Sequence, residues 1–185
     1  MKLRRTVVLV GMMGAGKTAV GKELARMLSA PFLDSDEAIV AAAAMSIAEI
    51  FERDGEAFFR ARETEVIARL LRGDPAILSV GGGAFLNADT RALITELGVS
   101  VWLKADLDLL WSRVRQKTTR PLLRTEAPRE TLAQLLAARE PDYAKADLVV
   151  TANPAYSIAD MARAVLATLA TRPDIVDGVD GGGKG

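Results

Sequence analysis

The stretch Thr6-Val7-Val8-Leu9-Val10-Gly11-Met12-Met13-Gly14-Ala15-Gly16-Lys17-Thr18 decides the fold. Its first five residues form a continuous apolar or β-branched run, the composition of a strand covered on both faces, as in a parallel sheet. Gly11 to Thr18 then match G-x-x-x-x-G-K-[ST]. Beyond them Val20, Leu24, Met27 and Leu28 recur at helical spacing, so a helix is expected over about Lys17–Ser29. A strand before and a helix after is the context that separates a true phosphate loop from a chance match. Glycines let the backbone turn its N–H groups inward, and the helix N-terminus favours an anion. The candidate phosphate ligands are the backbone over Gly14, Ala15, Gly16, Lys17, Thr18 and Ala19, with Lys17 as a point charge near the β and γ phosphates. The Thr18 hydroxyl is a candidate magnesium ligand. The motif marks a nucleoside triphosphate site.

Working outward, short apolar runs alternate with segments of helical period, the pattern of an α/β fold with a parallel sheet. Further strands are expected at Pro31–Leu33, Ala76–Val80, Val99–Lys104 and Asp147–Thr151. Ser46 with Glu49 has capping-box spacing and opens a helix ending before Gly55, and a longer helix follows to Leu71. Asn87 and Asp106 read as N-caps, Pro128 suits a first turn, and a last helix covers about Ser157–Ala170. About forty residues of helix between the second and third strands point to an inserted subdomain. Residues 114–126 read as a long loop of the lid or binding kind. One domain over residues 1–172 is expected, followed by a Gly-rich tail over 173–185, disordered from about Asp174.

Composition narrows the chemistry. The chain has 185 residues, 24 Lys plus Arg against 24 Asp plus Glu, and neither Cys nor His. Thiolate zinc sites, Cys nucleophiles, disulfides and Ser-His-Asp triads are therefore excluded, and any metal must be a hard cation held by oxygen. Only Thr6 to Val10 separate Arg4 and Arg5 from Gly11, too short for a signal-peptide core of about 7–15 residues. The chain reads as cytoplasmic, with no membrane or nucleic-acid partner, since the net charge is zero.

Four further features bear on how the nucleotide is used. Asp34-Ser35-Asp36 follows the second strand, at the end where such sheets bind ligands. One acid there can hold magnesium through water and the other an acceptor hydroxyl; an ordinary helix N-cap is the plain alternative. Arg60 and Glu63 stand at ion-pair spacing on a helix. Gly81-Gly82-Gly83 end the third strand, where a close approach of backbone to ligand explains three glycines. Arg113, Arg115, Lys117, Arg120 and Arg124 form a basic segment without an acid before Glu126. It can fold over ATP, serve as a nucleic-acid arm, or be a solvated face. Asn-Lys-x-Asp is absent, which rejects a guanine-nucleotide switch, and nothing demands a motor ATPase.

With GMMGAGKTAVGKELA, FLDSDEAI, DGEAFFRARE, ILSVGGGA, TTRPLL and AAREPDYAKAD in this order, the chain resembles the shikimate kinases, in the nucleoside-monophosphate-kinase-like branch of P-loop proteins. The resemblance spans about Val7 to Ala170. It implies a five-stranded parallel sheet of order 2-3-1-4-5 flanked by helices, a substrate-binding subdomain over 34–63 and a lid over 114–126. It also implies ATP-dependent phosphorylation of the 3-hydroxyl of shikimate, in aromatic amino acid biosynthesis. Asp34 then matches the acid that reaches magnesium through water, and Asp36 the catalytic acid on the ring hydroxyls. Arg60, Gly82 and Arg139 match the groups that hold shikimate, the arginines on its carboxylate, with Gly81 and Gly83 beside them. Glu63 matches an acid orienting this site. Arg120 matches the lid arginine on the ATP phosphates, catalytic together with Lys17 and Asp36, while Arg113 and Pro154 match residues flanking adenine. A monomer is expected. The Ala41–Ala44 run and the Gly-rich tail depart from the family pattern. Other readings remain open from the residues alone: gluconate kinase or a related small-acid kinase, a catalytically dead nucleotide-binding regulator, and a nucleic-acid binder using the basic loop.

Overall fold

The computed structural model describes residues 1–116 and 123–178. Its organising element is β1 (Thr6–Val10), buried along its whole length. β1 lies between β3 (Ile77–Ser79) and β4 (Gly98–Lys104), with β2 (Phe32–Asp34) outside β3 and β5 (Leu148–Thr151) outside β4. Every pairing is parallel, and the order β2-β3-β1-β4-β5 is the one the resemblance implies. The chain leaves β1 toward β2 on one side and later takes up β4 on the other, so the strand order reverses at β1. Such a reversal opens a crevice at the carboxyl ends of the strands.

The inner strands β1, β3 and β4 need no polar face because helices cover them. α1 (Lys17–Leu28) packs against α7 (Ile158–Leu169), and α3 (Ile47–Leu71) against α4 (Ala88–Leu97). The expected caps are present: Ser46 accepts from Glu49 N, Asn87 from Asp89 N and Thr90 N, and Asp106 from Leu109 N at the head of α5 (Leu107–Val114). Pro128 opens α6 (Pro128–Tyr143), and Ser157 forms a capping box with Asp160. The expected break at Gly55 is a kink within α3, where Gly55 has φ of 84°. β2 sits one residue later than the sequence suggests and takes in Asp34.

A second, small apolar cluster of Ile39, Ile50, Phe59 and Val66 joins α2 (Ser35–Ala43) to α3, apart from the main core. Within it the rings of Phe51 and Phe59 stand 4.8 Å apart. This cluster gives the region after β2 its own packing.

The expectation of a tail without structure from Asp174 is corrected for residues 174–178. Ile175 and Val176 are buried, and Leu3 and Val176 form an antiparallel bridge. Arg4 N donates to Ile175 O at 2.7 Å and Asp177 N to Lys2 O at 3.0 Å, with an ion pair between Arg4 and Asp177. Two apolar residues among Asp and Gly carry no periodicity, yet they close the bottom of the sheet against Leu3. Residues 179–185 lie outside the described residues. Ile175→Ala is expected to cost about 2–4 kcal/mol of unfolding free energy, read as a lower urea midpoint at unchanged slope. An unchanged midpoint would show this contact to be incidental to the fold.

Candidate active site

The strand register brings the site together. Leu9 of β1, Ser79 of β3 and Asp34 of β2 lie in one row across the sheet. Two residues beyond that row each chain arrives at a residue of interest: Gly11, Gly81 and Asp36. The phosphate loop, the glycine triplet and the DSD segment therefore share one edge of the sheet.

The loop is built as the motif requires. Gly14 and Gly16 have φ of 82° and 92°, the left-handed region that favours glycine. Gly16 is the N-cap of α1 and no side chain caps the helix there, which leaves its N-terminal end to an anion. Lys17 Nζ donates to Gly11 O at 2.5 Å and Met12 O at 3.2 Å, bent over the loop it serves. Arg113, from α5, donates to Gly14 O at 3.0 Å and so stands against the loop. Pro154 lies in the turn after β5, at the same edge of the sheet. Arg120 lies outside the described residues, as do Lys117 to Leu122 of the expected lid.

Asp34 and Asp36 are differentiated by structure. Asp34 caps α2, its Oδ1 accepting from Asp36 N at 2.9 Å and Glu37 N at 3.2 Å. The plain capping role is thus realised by one oxygen of the carboxylate. Asp36 points instead at the glycine triplet, with Oδ1 3.1 Å from where a Cβ on Gly81 would stand. Burial pushes the Asp36 carboxyl above its ordinary value; the charge of Asp34 adds to this, while Lys17 and Arg60 oppose it.

The other two glycines clear space for two arginines. A Cβ on Gly82 would lie 2.8 Å from Arg139 Nη1, and one on Gly83 would lie 2.8 Å from Arg60 Cζ and against Nη2. Arg60 is held in turn by Glu63, whose Oε1 accepts from Nη1 at 2.8 Å. Glu63 is 2% exposed, and burial raises its carboxyl although Arg60 opposes the shift. Three consecutive glycines thus face a carboxylate and two guanidinium forks within a span of about 7 Å. That spacing suits a small acceptor with hydroxyls at one end and a carboxylate at the other, since guanidinium meets carboxylate bidentately.

Sequence reasoning did not single out Tyr143. It lies four residues after Arg139 on α6, hence on the same helix face, and that spacing was the available signal. Its side chain is fully buried, and its hydroxyl donates to Gly82 O at 2.6 Å.

Magnesium fits the donor set. Among the described residues no three His, Cys, Asp or Glu side chains gather into a metal cage. Thr18 lies in the first turn of α1 and Asp34 ends β2 at the same edge of the sheet, a sparse set of hard oxygens that suits an ion held mostly by phosphate and water. Also among the described residues, no helix is long and apolar enough to cross a membrane.

Comparison with known proteins identifies the family. A family model described as shikimate kinase matches residues 13–170. The chain is 63% identical over 175 residues to the shikimate kinase of Ruegeria pomeroyi, covering 95% of this chain and 90% of the relative. It is 62% identical over 176 residues to that of Cereibacter sphaeroides, covering 95% and 88%. The structure superposes on a shikimate kinase from Acinetobacter baumannii in complex with shikimate with TM-score 0.84 and 37% identity, covering 90% of this chain and 93% of the other. With its sheet order, its phosphate loop and these relatives in agreement, the chain belongs to the shikimate kinase family.

Proposed function

We propose that this kinase transfers the γ-phosphoryl group of ATP to the 3-hydroxyl of shikimate, giving ADP and shikimate 3-phosphate. The observation that carries the acceptor is the placement of Asp36, Arg139 and Arg60 over Gly81, Gly82 and Gly83, facing the edge that bears the phosphate loop. Arg60 and Arg139 bind the carboxylate of the acceptor together with the Gly82 backbone, and Gly81 and Gly83 keep the approach open. Glu63 orients Arg60. Asp36 accepts a hydrogen bond from the attacking hydroxyl and takes its proton as the bond to phosphorus forms.

On the donor side the backbone from Gly14 to Ala19 cradles the phosphates. Lys17 exchanges its loop carbonyls for phosphate oxygens when ATP arrives, and Arg113 and Pro154 flank adenine. The transition state of phosphoryl transfer is loose, so orientation and charge stabilisation matter more than a strong base. The chemistry that bound magnesium supplies is neutralisation of phosphate charge, and Thr18 and Asp34 are the residues that would hold it. Arg120, in the proposed lid over 114–126, reaches the transferred group by the family resemblance. The region 34–63 is the proposed acceptor-binding subdomain, and its separate small core supports that reading. We assign the enzyme to action as a monomer in the cytoplasm.

The test is ADP release in the presence of ATP and magnesium with shikimate, gluconate or no acceptor. Release that depends on shikimate is expected. Release with gluconate alone would overturn the reading of Arg60, Gly82 and Arg139 while leaving the phosphate loop intact.

A further inference from the structure

Tyr143 occupies an unusual place for a residue outside the assigned site. It is fully buried in the last turn of α6, yet its hydroxyl ends on a backbone group of the acceptor site. The bond to Gly82 O is short, at 2.6 Å, and joins residues 61 apart in sequence. The hydroxyl also lies 3.9 Å from Sδ of Met12, a residue of the phosphate loop. The Arg139 guanidinium lies beside it, one helical turn earlier on the same face. The ring is wedged 6.0 Å from that of Trp102 on β4, whose Cδ1 sits 3.5 Å from the Cβ position of Gly11. One phenol therefore touches the acceptor loop, the donor loop and an acceptor-binding arginine.

We propose that Tyr143 is a positioning residue for the acceptor carboxylate, fixing the Gly82 peptide and the Arg139 guanidinium as one unit seated against the phosphate loop. A glycine triplet is the most entropically mobile backbone available, and a preformed site needs it held. The second tie between α6 and this region, Arg91 to Asp142 at 3.3 Å, reaches only the carbonyls of Phe85 and Leu86 beyond the triplet. Tyr143 acts on Gly82 itself. Burial raises its phenol above the ordinary value, so it remains a protonated donor at neutral pH. This inference rests on the acceptor reading above and deepens it.

Tyr143→Phe keeps the ring and removes only the hydroxyl. The expected result is a rise of about tenfold in KM for shikimate, with kcat and KM for ATP within about twofold. In an Arg139→Ala background the same change is expected to add less than about twofold, because both substitutions disable one unit. Amide exchange at Gly82 and Gly83 without substrate is expected to accelerate in Tyr143→Phe. An unchanged shikimate KM with unchanged exchange would overturn the proposal. So would parallel losses in both KM values that track a lowered melting temperature, since those belong to a purely structural tyrosine. If the wild-type protein releases no ADP with shikimate, the acceptor reading falls, and amide exchange still decides whether Tyr143 holds the triplet.

Discussion

Asp36→Asn is expected to lower kcat by about 10²–10⁴ while leaving ATP affinity unchanged. The substitution keeps the size of the side chain and removes its ability to take a proton. Asp36 faces Gly81, with Lys17 and Arg60 close enough to act on its charge, whereas Asp34 caps α2 beside the nucleotide loop. On the proposed reading the two acids of one short segment divide their work: one serves the acceptor, the other the donor and its metal. Turnover from single-turnover or steady-state kinetics, set beside ATP affinity by calorimetry, checks the division. A collapse of ATP affinity in Asp36→Asn would place Asp36 on the donor side and undo it.

The same variant has a signature in stability. Burial is the main reason the Asp36 carboxyl is raised, so the charged form is the costly one in the folded protein. A folded-state value above the unfolded one gives a contribution that is complete below the ordinary aspartate value of 3.8 and lost as pH rises through the raised value. At neutral pH the wild-type protein thus carries the whole penalty. Asp36→Asn is expected to melt at a higher temperature than wild type near neutrality, with the gap closing in acid. Glu63 is raised for the same reason and steepens the same pH range. If Asp36 takes the proton as proposed, it must be ionised to do so, and the acid limb of kcat/KM is expected above the usual aspartate range. Activity built on an unfavourably buried charge is a familiar exchange of stability for function.

What the sequence made legible was local. The loop Gly11–Thr18, the caps at Ser46, Asn87 and Asp106 and the buried strands each follow from neighbours a few residues apart. The types of the acceptor residues were legible too, but their convergence was not readable from spacing and came from family resemblance. It depends on the register that sets Leu9, Asp34 and Ser79 in one row, and register is a tertiary property. Tyr143 and Ile175 were missed for the same reason. Their partners lie far away in sequence, Gly82 for one and the segment around Leu3 and Arg4 for the other; the spacing from Arg139 is the one local sign of Tyr143, and Ile175 has none. Composition argued correctly for a Gly-rich end but not for the two apolar residues buried just before it.

Gly83→Ala is expected to raise KM for shikimate by about 10- to 100-fold while leaving the melting temperature nearly unchanged. The added methyl would stand 2.8 Å from Arg60 Cζ, so something must move. What moves is the tip of a flexible side chain, which costs the fold little. On the proposed acceptor reading function suffers more, because Arg60 then leaves the place assigned to it for meeting the carboxylate. Charge-assisted hydrogen bonds of this kind are worth about 1.5–3 kcal/mol, and each 1.4 kcal/mol is about tenfold in affinity. Arg60 also withdraws from Glu63, and that buried carboxyl responds by taking up a proton rather than staying charged and alone. Gly98→Ala makes the contrast. There the methyl meets Thr6 O, a backbone atom of the central strand, at 2.6 Å, and β1 cannot yield without breaking the sheet. That variant is expected to lose stability with little change in shikimate KM where it still folds. If instead Gly83→Ala lowered the melting temperature and spared the KM, the triplet would be a folding device. The close approach of Arg60 would then have no part in recognising the acceptor.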